Sequence, residues 1–507
     1  MIKFDIHKYL LASMCLFALN FCYSQNMSSE GNEFWFSFIE SGPNNNDLYS
    51  IYITSTTDGT ATLASPAGNY NLEQNYYANE IAEIILPDSI CGPIGTGEIT
   101  NYGLKLNTTS IVGAYMVNFQ AKQSEASIIY PIDLIQTDYV VTTAATANLV
   151  RTFIVVATEN NTTIEIKTPD DDFEIILNKG QTYQVHSNDD LSGTRIKSMN
   201  NKKIAVFSGA RSTKMCDSDG SGRNPLFDQL LPVSLLGNEY ALIPFKNQGN
   251  SLIKILAIQD QTELILGNEI IASLNKYETY ILELDKPEIL KASKNLQVSQ
   301  ISCHFDSIGD PSLLHLTPIN YTTKNLRIQN IQGFGSNEEV FENRYITLIS
   351  KTANVNTVRF NNNIISDEFT KIESDSSYSF AIMDAFDDYS TIEALNGVYG
   401  YASGFGLFDA YTFSLGFTPD TVLSINDPDR FDCNIFPNPT SNYIRLNCVG
   451  PKKAEIFNQF GRSIQKYDSI ENNLIDMRMF PPGLYHIRII FKNDSGNNTK
   501  IFKVIKN

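Results

Sequence analysis

The sequence predicts an all-β protein made of tandem β-sandwich, immunoglobulin-like repeats followed by a small C-terminal β-sandwich domain. Three observations predict this fold class. Apolar and polar residues alternate with a period of two in many short segments. The 25 tyrosines and 30 phenylalanines belong to a composition typical of strands. No segment shows helical periodicity beyond a single turn. Because 507 residues exceed what one hydrophobic core supports, several domains are expected.

The N-terminus has the features of a secretion signal, predicted over residues 1–24. Two lysines precede an apolar run at residues 9–21, and the small side chains that follow place the cleavage between Ser24 and Gln25. The apolar run is too short to span a bilayer comfortably. No other stretch is long and apolar enough, so the mature protein is expected to have no transmembrane segment.

The next 400 residues contain four copies of one pattern. Each copy has a strand, a polar turn with Asp or Asn, a threonine and another strand, which predicts a β-hairpin. The copies read YSIYITSTTDGTATLAS, TFIVVATENNTTIEIKT, LIKILAIQDQTELILGN and YITLISKTANVNTVRFN. We predict β-sandwich units at 25–136, 137–236, 237–322 and 323–417. The alternative is a β-propeller, but its repeats are usually only about 40 to 50 residues long.

The second unit carries a family resemblance. Its segments FIVVATENNTTIEI, LNKGQTYQVHSNDDLSGTRIKSMNNKKIAVFSG and FDQLLPVSLLGNEYALIPF resemble the N-terminal domain family of the IgGFc-binding protein. The resemblance covers most of residues 31–416. It implies a surface-associated β protein, and its motifs are structural rather than catalytic. Family members often carry paired cysteines around the loop that contains Cys216, whereas Cys216 has no partner nearby in this sequence.

The end of the chain differs from the rest in charge. Residues 418–430 are polar and contain two prolines, which predicts a linker. Residues 431–507 predict a separate domain with 11 basic and 6 acidic residues, a net charge of +5. The total charge of −18 therefore leaves −23 for residues 1–430. The strong negative charge of residues 1–430 argues against nucleic acid as a partner, because phosphate contacts need basic patches.

The last domain contains several short motifs in a fixed order, and hairpin turns are expected at Gly461 and Gly483. They resemble the type A C-terminal sorting domain of type IX secretion substrates in Bacteroidota. The residues that carry the resemblance are Pro437, Asn438, Pro439, Gly461, Gly483, Tyr485 and Lys500. The resemblance implies handling by the type IX secretion machinery and removal of the domain after export. It therefore implies a protein that is secreted or held on the outer cell surface.

One loop has the oxygen spacing of a calcium site. Counting from Asp217, oxygen-bearing side chains fall at positions 1, 3, 5 and 12, which are Asp217, Asp219, Ser221 and Asp228, and a glycine falls at position 6. A hard cation prefers such a set of oxygens, so Ca²⁺ is the one cofactor considered. The alternative is a flexible acidic loop without metal, because a proline interrupts the loop and no flanking helices are predicted.

Cysteine usage does not indicate a disulfide framework, because the five cysteines after the signal are few and scattered. Only Cys433 and Cys448 are close enough in sequence to suggest a disulfide, and two buried thiols are the alternative. Cys303 is expected to be buried in a strand. The adjacent His304 would then point to the opposite face, so the two cannot form a catalytic dyad.

The sequence contains no nucleophile elbow, zinc-protease motif or P-loop. The acidic segment DAFDDYS, with Asp384, Asp387 and Asp388, is expected to be a solvated turn. These observations favour a non-enzymatic adhesion protein that binds an extracellular glycoprotein, glycan or matrix partner. The alternative is a secreted hydrolase of polysaccharide or protein with an unrecognised site.

Overall fold

The computed structural model describes residues 27–41, 48–120, 123–144, 150–213, 224–303, 309–333, 340–407, 409–419, 434–436, 440–447, 452–458, 462–470, 473–493 and 496–506. The chain forms two compact units, residues 1–423 and 424–507, which we call the body and the tail domain. Strands dominate both units, so the all-β prediction is confirmed. Short 3₁₀ turns occur at Asp88–Ile90, Val233–Leu235, Thr352–Thr357 and Ser366–Glu368.

The body contains four modules that follow the same order of strands: an opening strand, a second strand, a hairpin, a further strand, a long strand and a return strand. Module 1 comprises β1 (Gly31–Phe36), β2 (Leu48–Thr54), β3 (Gly59–Ser65), β4 (Tyr70–Tyr76), β5 (Ile81–Leu86), β6 (Ile99–Thr100), β7 (Leu104–Gln120) and β8 (Gln123–Ile128). Module 2 comprises β9 (Asp138–Val140), β10 (Arg151–Ala157), β11 (Thr162–Lys167), β12 (Asp172–Leu177), β13 (Thr182–Ser187), β14 (Arg195–Ser198), β15 (Ile204–Thr213) and β16 (Asn224–Gln229).

The other two modules repeat this order. Module 3 comprises β17 (Gly237–Leu242), β18 (Ser251–Ala257), β19 (Thr262–Leu266), β20 (Glu269–Leu274), β21 (Thr279–Leu284), β22 (Glu288–Ile301) and β23 (Leu313–His315). Module 4 comprises β24 (Tyr321–Gln329), β25 (Asn343–Lys351), β26 (Val358–Phe360), β27 (Asn363–Ile364), β28 (Thr370–Lys371), β29 (Tyr378–Asp384), β30 (Tyr389–Gly406), β31 (Asp409–Ser414) and β32 (Thr418–Pro419). The unit boundaries and linker predicted from the sequence stay predictions.

The prediction that the repeated pattern forms a hairpin is wrong. Among the described strands of module 1, β2 pairs with β5 and β7, whereas β3 pairs with β4 and β7. Among the described strands of the other modules, too, the second and third strands do not pair with each other. The polar turn therefore links two halves of a curled sheet. Alternation of apolar and polar residues predicts a half-buried strand but does not predict which strand it pairs with. A hairpin and a turn between the two halves of a sheet therefore have the same sequence pattern.

In modules 1, 3 and 4, one long strand joins the two halves of the sheet. β7 has 17 residues and β30 has 18, whereas module 2 divides the equivalent strand into β14 and β15. The opening strand shifts its register against the long strand between Gly31 and Glu33, and again between Gly237 and Glu239 in module 3. Such a β-bulge bends a strand and increases its twist, which lets one strand serve both halves.

The modules contact each other in a closed circle. β6 of module 1 pairs with β13 of module 2. Modules 2 and 3 are joined by a 2.7 Å ion pair between Asp190 and Lys254, and modules 3 and 4 by a 2.6 Å ion pair between Lys291 and Asp375. The circle closes where the backbone N–H of Ser29 donates to the carbonyl of Phe417 at 2.8 Å. The N–H of Phe417 donates in return to Ser29 Oγ at 2.7 Å.

The four return strands β8, β16, β23 and β31 meet at the centre of the body. We call their buried polar side chains the hub. Asn224 of module 2 shows how the hub joins the modules: its Nδ2 donates to the carbonyls of Pro311 and Ala410, both at 3.0 Å. Its Oδ1 accepts from the N–H of Ser124 at 2.6 Å. One amide thereby bonds to all three other modules.

Glu125 of β8 places a carboxyl group in the hub and is fully buried. Its Oε1 accepts from Ser312 Oγ at 2.6 Å and from the N–H of Thr412 at 3.2 Å. Its Oε2 accepts from the N–H of Leu313 at 2.8 Å. Burial raises the pKa of Glu125 well above its usual range, and these hydrogen bonds oppose that rise. The side chain therefore bonds module 1 to modules 3 and 4.

The tail domain has its own sheets and its own core. Its strands are β33 (Asn434–Phe436), β34 (Tyr443–Asn447), β35 (Lys452–Asn458), β36 (Ser463–Tyr467), β37 (Leu474–Asp476), β38 (Gly483–Asn493) and β39 (Gly496–Lys506). β33, β34 and β37 form one sheet, and β35, β36, β38 and β39 form another. Ile444 and Ile475 from the first sheet and Ile456 and Ile487 from the second belong to one buried cluster. The predicted small C-terminal sandwich is thus confirmed.

Candidate functional site

A surface groove in module 4 is the candidate functional site. Its volume is about 550 Å³, within the usual range for small-ligand sites. We call it the Arg327–Phe386 groove. Its lining residues are Arg327, Asn361, Asn362, Phe386, Asp387, Asp388, Tyr389 and Thr391.

Three neighbouring strands and two turns position these residues. Arg327 in β24 lies opposite Thr391 in β30, and β26 pairs with β30 on its other side. One turn, at Asn361 and Asn362, joins β26 to β27 with φ values of 47° and 66°. Asparagine tolerates this left-handed region better than most residues, which suits it to a two-residue turn. The second turn, residues 385–388, joins β29 to β30.

Aromatic rings form the apolar part of the groove. Phe386 is 62% exposed and Tyr389 is 43% exposed. The guanidinium of Arg327 lies 4.2 Å from the centre of the Tyr389 ring, a cation–π contact. Arg327 also donates a hydrogen bond to the carbonyl of Asn79 in module 1. Contacts from both modules therefore hold the Arg327 side chain across the groove.

A buried arginine, Arg344, donates hydrogen bonds to the turn that carries Phe386. Arg344 is 2% exposed, and it donates to the carbonyls of Ala385 at 3.1 Å and Phe386 at 3.0 Å. Asn330 adds a bond from its Nδ2 to the carbonyl of Asp387 at 2.9 Å. An exposed phenylalanine on a turn so held needs little further ordering when it contacts a ligand.

The polar side of the groove contains amides and carboxylates. Asn361 Oδ1 accepts from the N–H of Thr391 at 2.8 Å, which fixes the side chain of Asn361. Its Nδ2 donates to Asp387 Oδ2 at 3.5 Å. Asp388 Oδ1 accepts from Gln332 Nε2 at 2.6 Å. Asp387 Oδ1 and Asp388 Oδ2 have no donor among the described residues, so they remain open to a ligand.

Comparison with known families identifies both units. Residues 125–404, just over half of the chain and including the whole groove, match the family model described as IgGFc binding protein. The chain belongs to the IgGFc-binding protein family. Residues 434–507 match the model described as Secretion system C-terminal sorting domain. Both resemblances predicted from the sequence are thereby confirmed. No curated protein matches the chain.

The sorting domain makes this IgGFc-binding family member a substrate of the type IX secretion machinery and an exported protein. Among the described residues, no helix has the length and apolarity needed to cross a bilayer. The predicted signal peptide and its cleavage between Ser24 and Gln25 lie outside the described residues.

The predicted sorting residues are only partly described. Tyr485 is 6% exposed; its hydroxyl donates to the carbonyl of Pro481 at 2.7 Å, and its ring lies 5.7 Å from that of Phe480. Gly483 is the first residue of β38. It does not form the expected hairpin turn, because β37 and β38 belong to different sheets. The backbone of Lys500 pairs with Ile489. Outside the described residues lie Pro437, Asn438, Pro439, Gly461 and the Lys500 side chain.

The predicted calcium loop is also only partly described. Asp217, Asp219 and Ser221 lie outside the described residues, so calcium binding by this family member stays a prediction. The fourth residue, Asp228, lies in strand β16. Within the described ranges, no group of three or more His, Cys, Asp or Glu side chains is arranged to hold a metal ion.

Asp228 is buried in the hub, where both of its carboxyl oxygens accept hydrogen bonds. Its Oδ1 accepts from Ser127 Oγ at 2.7 Å and from the N–H of Gln229 at 2.9 Å. Its Oδ2 accepts from the N–H of His315 at 2.8 Å. Burial raises the pKa of Asp228 to about 7, and the three hydrogen bonds oppose the rise. Both oxygens therefore serve contacts between return strands.

The cysteine prediction needs a correction. Cys303 is disulfide-bonded, although the scattered spacing argued against disulfides in the body. The only other described cysteine, Cys91, is free and buried, so the partner of Cys303 lies outside the described residues. Cys433 and Cys448 lie there as well. The prediction relied on the spacing of cysteines along the sequence, but folding brings distant segments together. A disulfide needs only that its two Cα atoms come within about 7 Å.

Non-reducing peptide mapping of the exported protein is expected to find Cys303 covalently joined to another cysteine. Breaking the bond should lower the free energy of unfolding by about 2–4 kcal/mol, because the unfolded chain regains freedom. The comparison is denaturant unfolding with and without reductant, with Cys91→Ala as a control for the free thiol. Alkylation of Cys303 in the unfolded, unreduced protein would contradict the assignment.

Proposed function

We propose that this exported family member is a non-enzymatic adhesion protein that binds an extracellular glycan, as a polysaccharide or on a glycoprotein, through the Arg327–Phe386 groove. The observation that carries the proposal is Phe386, exposed at the groove on a turn that Arg344 and Asn330 hold in place. Water in contact with an exposed aromatic ring is unfavourable in free energy, and a partner that covers the ring removes this cost. The C–H face of a sugar ring is apolar and flat enough to pack against such a ring.

The polar groups beside Phe386 support the same ligand. The open oxygens of Asp387 and Asp388 can accept from sugar hydroxyls, and the N–H groups of Arg327 can donate to them. A groove of about 550 Å³ has the volume of a small-ligand site, which suits a few sugar units. The family description names the Fc part of immunoglobulin, but function has to be argued from the site.

Phe386→Ala is expected to weaken binding of the purified full chain to its best glycan on an oligosaccharide array about five- to thirtyfold. Loss of one aromatic contact of roughly 1–2 kcal/mol corresponds to such a change. Leu395→Ala is the matched control: this side chain in β30 is 73% exposed but does not line the groove. Equal binding by wild type and Phe386→Ala would contradict the proposal.

A second measurement separates adhesion from hydrolysis. The same full chain is incubated with polysaccharide and protein substrates, and released fragments are counted. Stable binding without release is expected. Turnover without stable binding would favour the hydrolase alternative, and binding that survives complete deglycosylation of a glycoprotein would show that protein rather than glycan is recognised.

A further inference from the structure

We infer that the Arg327–Phe386 groove selects neutral, hydroxyl-rich sugars over anionic glycans. This inference rests on the proposed function and narrows the ligand class of the same site. It follows from the distribution of charge around Phe386. The guanidinium of Arg327 and the carboxylates of Asp387 and Asp388 line one groove of about 550 Å³.

An anionic ligand meets groups of its own sign in this groove, because two of the three charged side chains that line it are carboxylates. A sialic acid carboxylate or a sulfate would approach the open oxygens of Asp387 and Asp388. A neutral hydroxyl is both donor and acceptor, so it can bond to a carboxylate oxygen and to an N–H group without repulsion. Hydrogen bonds to charged groups are also stronger than those between neutral groups.

Arg327 is poorly placed to overcome the repulsion of an anion. One of its terminal nitrogens donates to the carbonyl of Asn79, and its flat face covers the Tyr389 ring. The paired hydrogen bonds with which arginine usually holds a carboxylate or sulfate need two neighbouring N–H groups. With one edge already engaged, fewer of those donors remain for an anionic ligand.

The net negative charge of the rest of the body also repels anionic ligands. The body, residues 1–423, carries a net charge of −22. At physiological ionic strength this field is screened beyond about 8 Å, so the two carboxylates in the groove dominate discrimination at contact. At low salt the wider field adds repulsion against sialylated or sulfated polymers.

The test uses the full chain and matched oligosaccharides that share one core: neutral, sialylated and sulfated. The neutral member is expected to bind at least about tenfold more tightly than either anionic member. Its affinity should change little between low and high salt, because no net charge is neutralised. Asp387→Asn combined with Asp388→Asn should weaken neutral binding by a similar factor. The exposed Glu368→Gln in the same module is the control and should leave it unchanged.

Two outcomes would overturn the inference, and they differ in what they mean for the proposed function. Tighter binding of an anionic oligosaccharide that is lost in Phe386→Ala would overturn the preference for neutral sugars and leave glycan adhesion through the groove intact. Failure to bind any oligosaccharide of the three classes would overturn both proposals.

Discussion

Deletion of residues 431–507 is expected to retain the protein in the periplasm and abolish its release or display at the cell surface. The tail matches a secretion sorting domain, and its strands form their own sheets around their own core. Removing it should therefore remove the export determinant without taking residues from the core of the body. The measurement is fractionation of cells that express the full chain or the deletion, followed by detection of the body in each fraction.

Two controls make this result interpretable. Far-UV circular dichroism and limited proteolysis of the retained protein should show that the body is folded. A periplasmic reporter joined to residues 431–507 should gain export. Normal surface display of the deletion, or a reporter that stays in the periplasm, would refute this role of the tail.

Glu125→Ala is expected to lower the free energy of unfolding of the body by about 3–5 kcal/mol. The substitution leaves Ser312, Leu313 and Thr412 with donors that have lost their buried acceptor, and it adds a cavity. Two of those donors are backbone N–H groups, which have no rotamer with which to find another partner. The measurement is chemical denaturation of the full chain, monitored by tryptophan fluorescence of Trp35 in module 1.

Glu125→Gln provides the matched comparison. Its carbonyl oxygen can still accept from Ser312 and Thr412, but its amide N–H groups then face the N–H of Leu313. An intermediate loss of about 1–3 kcal/mol is expected. Glu73→Ala, on the exposed side of β4, should change the free energy of unfolding by no more than about 0.5 kcal/mol. An unchanged unfolding midpoint for Glu125→Ala would refute the structural role of the hub.

The repeated pattern shows what local sequence can and cannot determine. Alternation correctly predicted strands such as β2 and β3, because burial of one face requires apolar residues at every second position. It could not predict that both strands pair with β7 rather than with each other. Nor did it predict that Ser29 bonds to Phe417, because no local pattern encodes a contact between residues 388 positions apart.

The candidate site shows the same limit. Asp387 and Asp388 were predicted to lie in a solvated turn, and they are indeed exposed. What the segment DAFDDYS did not reveal is that Arg327 and Asn361 lie beside this turn. Its phenylalanine between acidic residues, followed by a tyrosine, was the available signal, since an apolar ring has little reason to occupy a purely solvated turn.

The sequence by itself determined the all-β class, the four-fold repetition and the presence of a sorting domain. Each of these depends on composition, periodicity or motifs within short segments. Only the tertiary structure decided the closed circle of modules, the hub around Glu125, the bonded state of Cys303 and the Arg327–Phe386 groove. These features join residues from distant parts of the chain, and their energies arise from burial and hydrogen bonding that exist only after those parts have packed together.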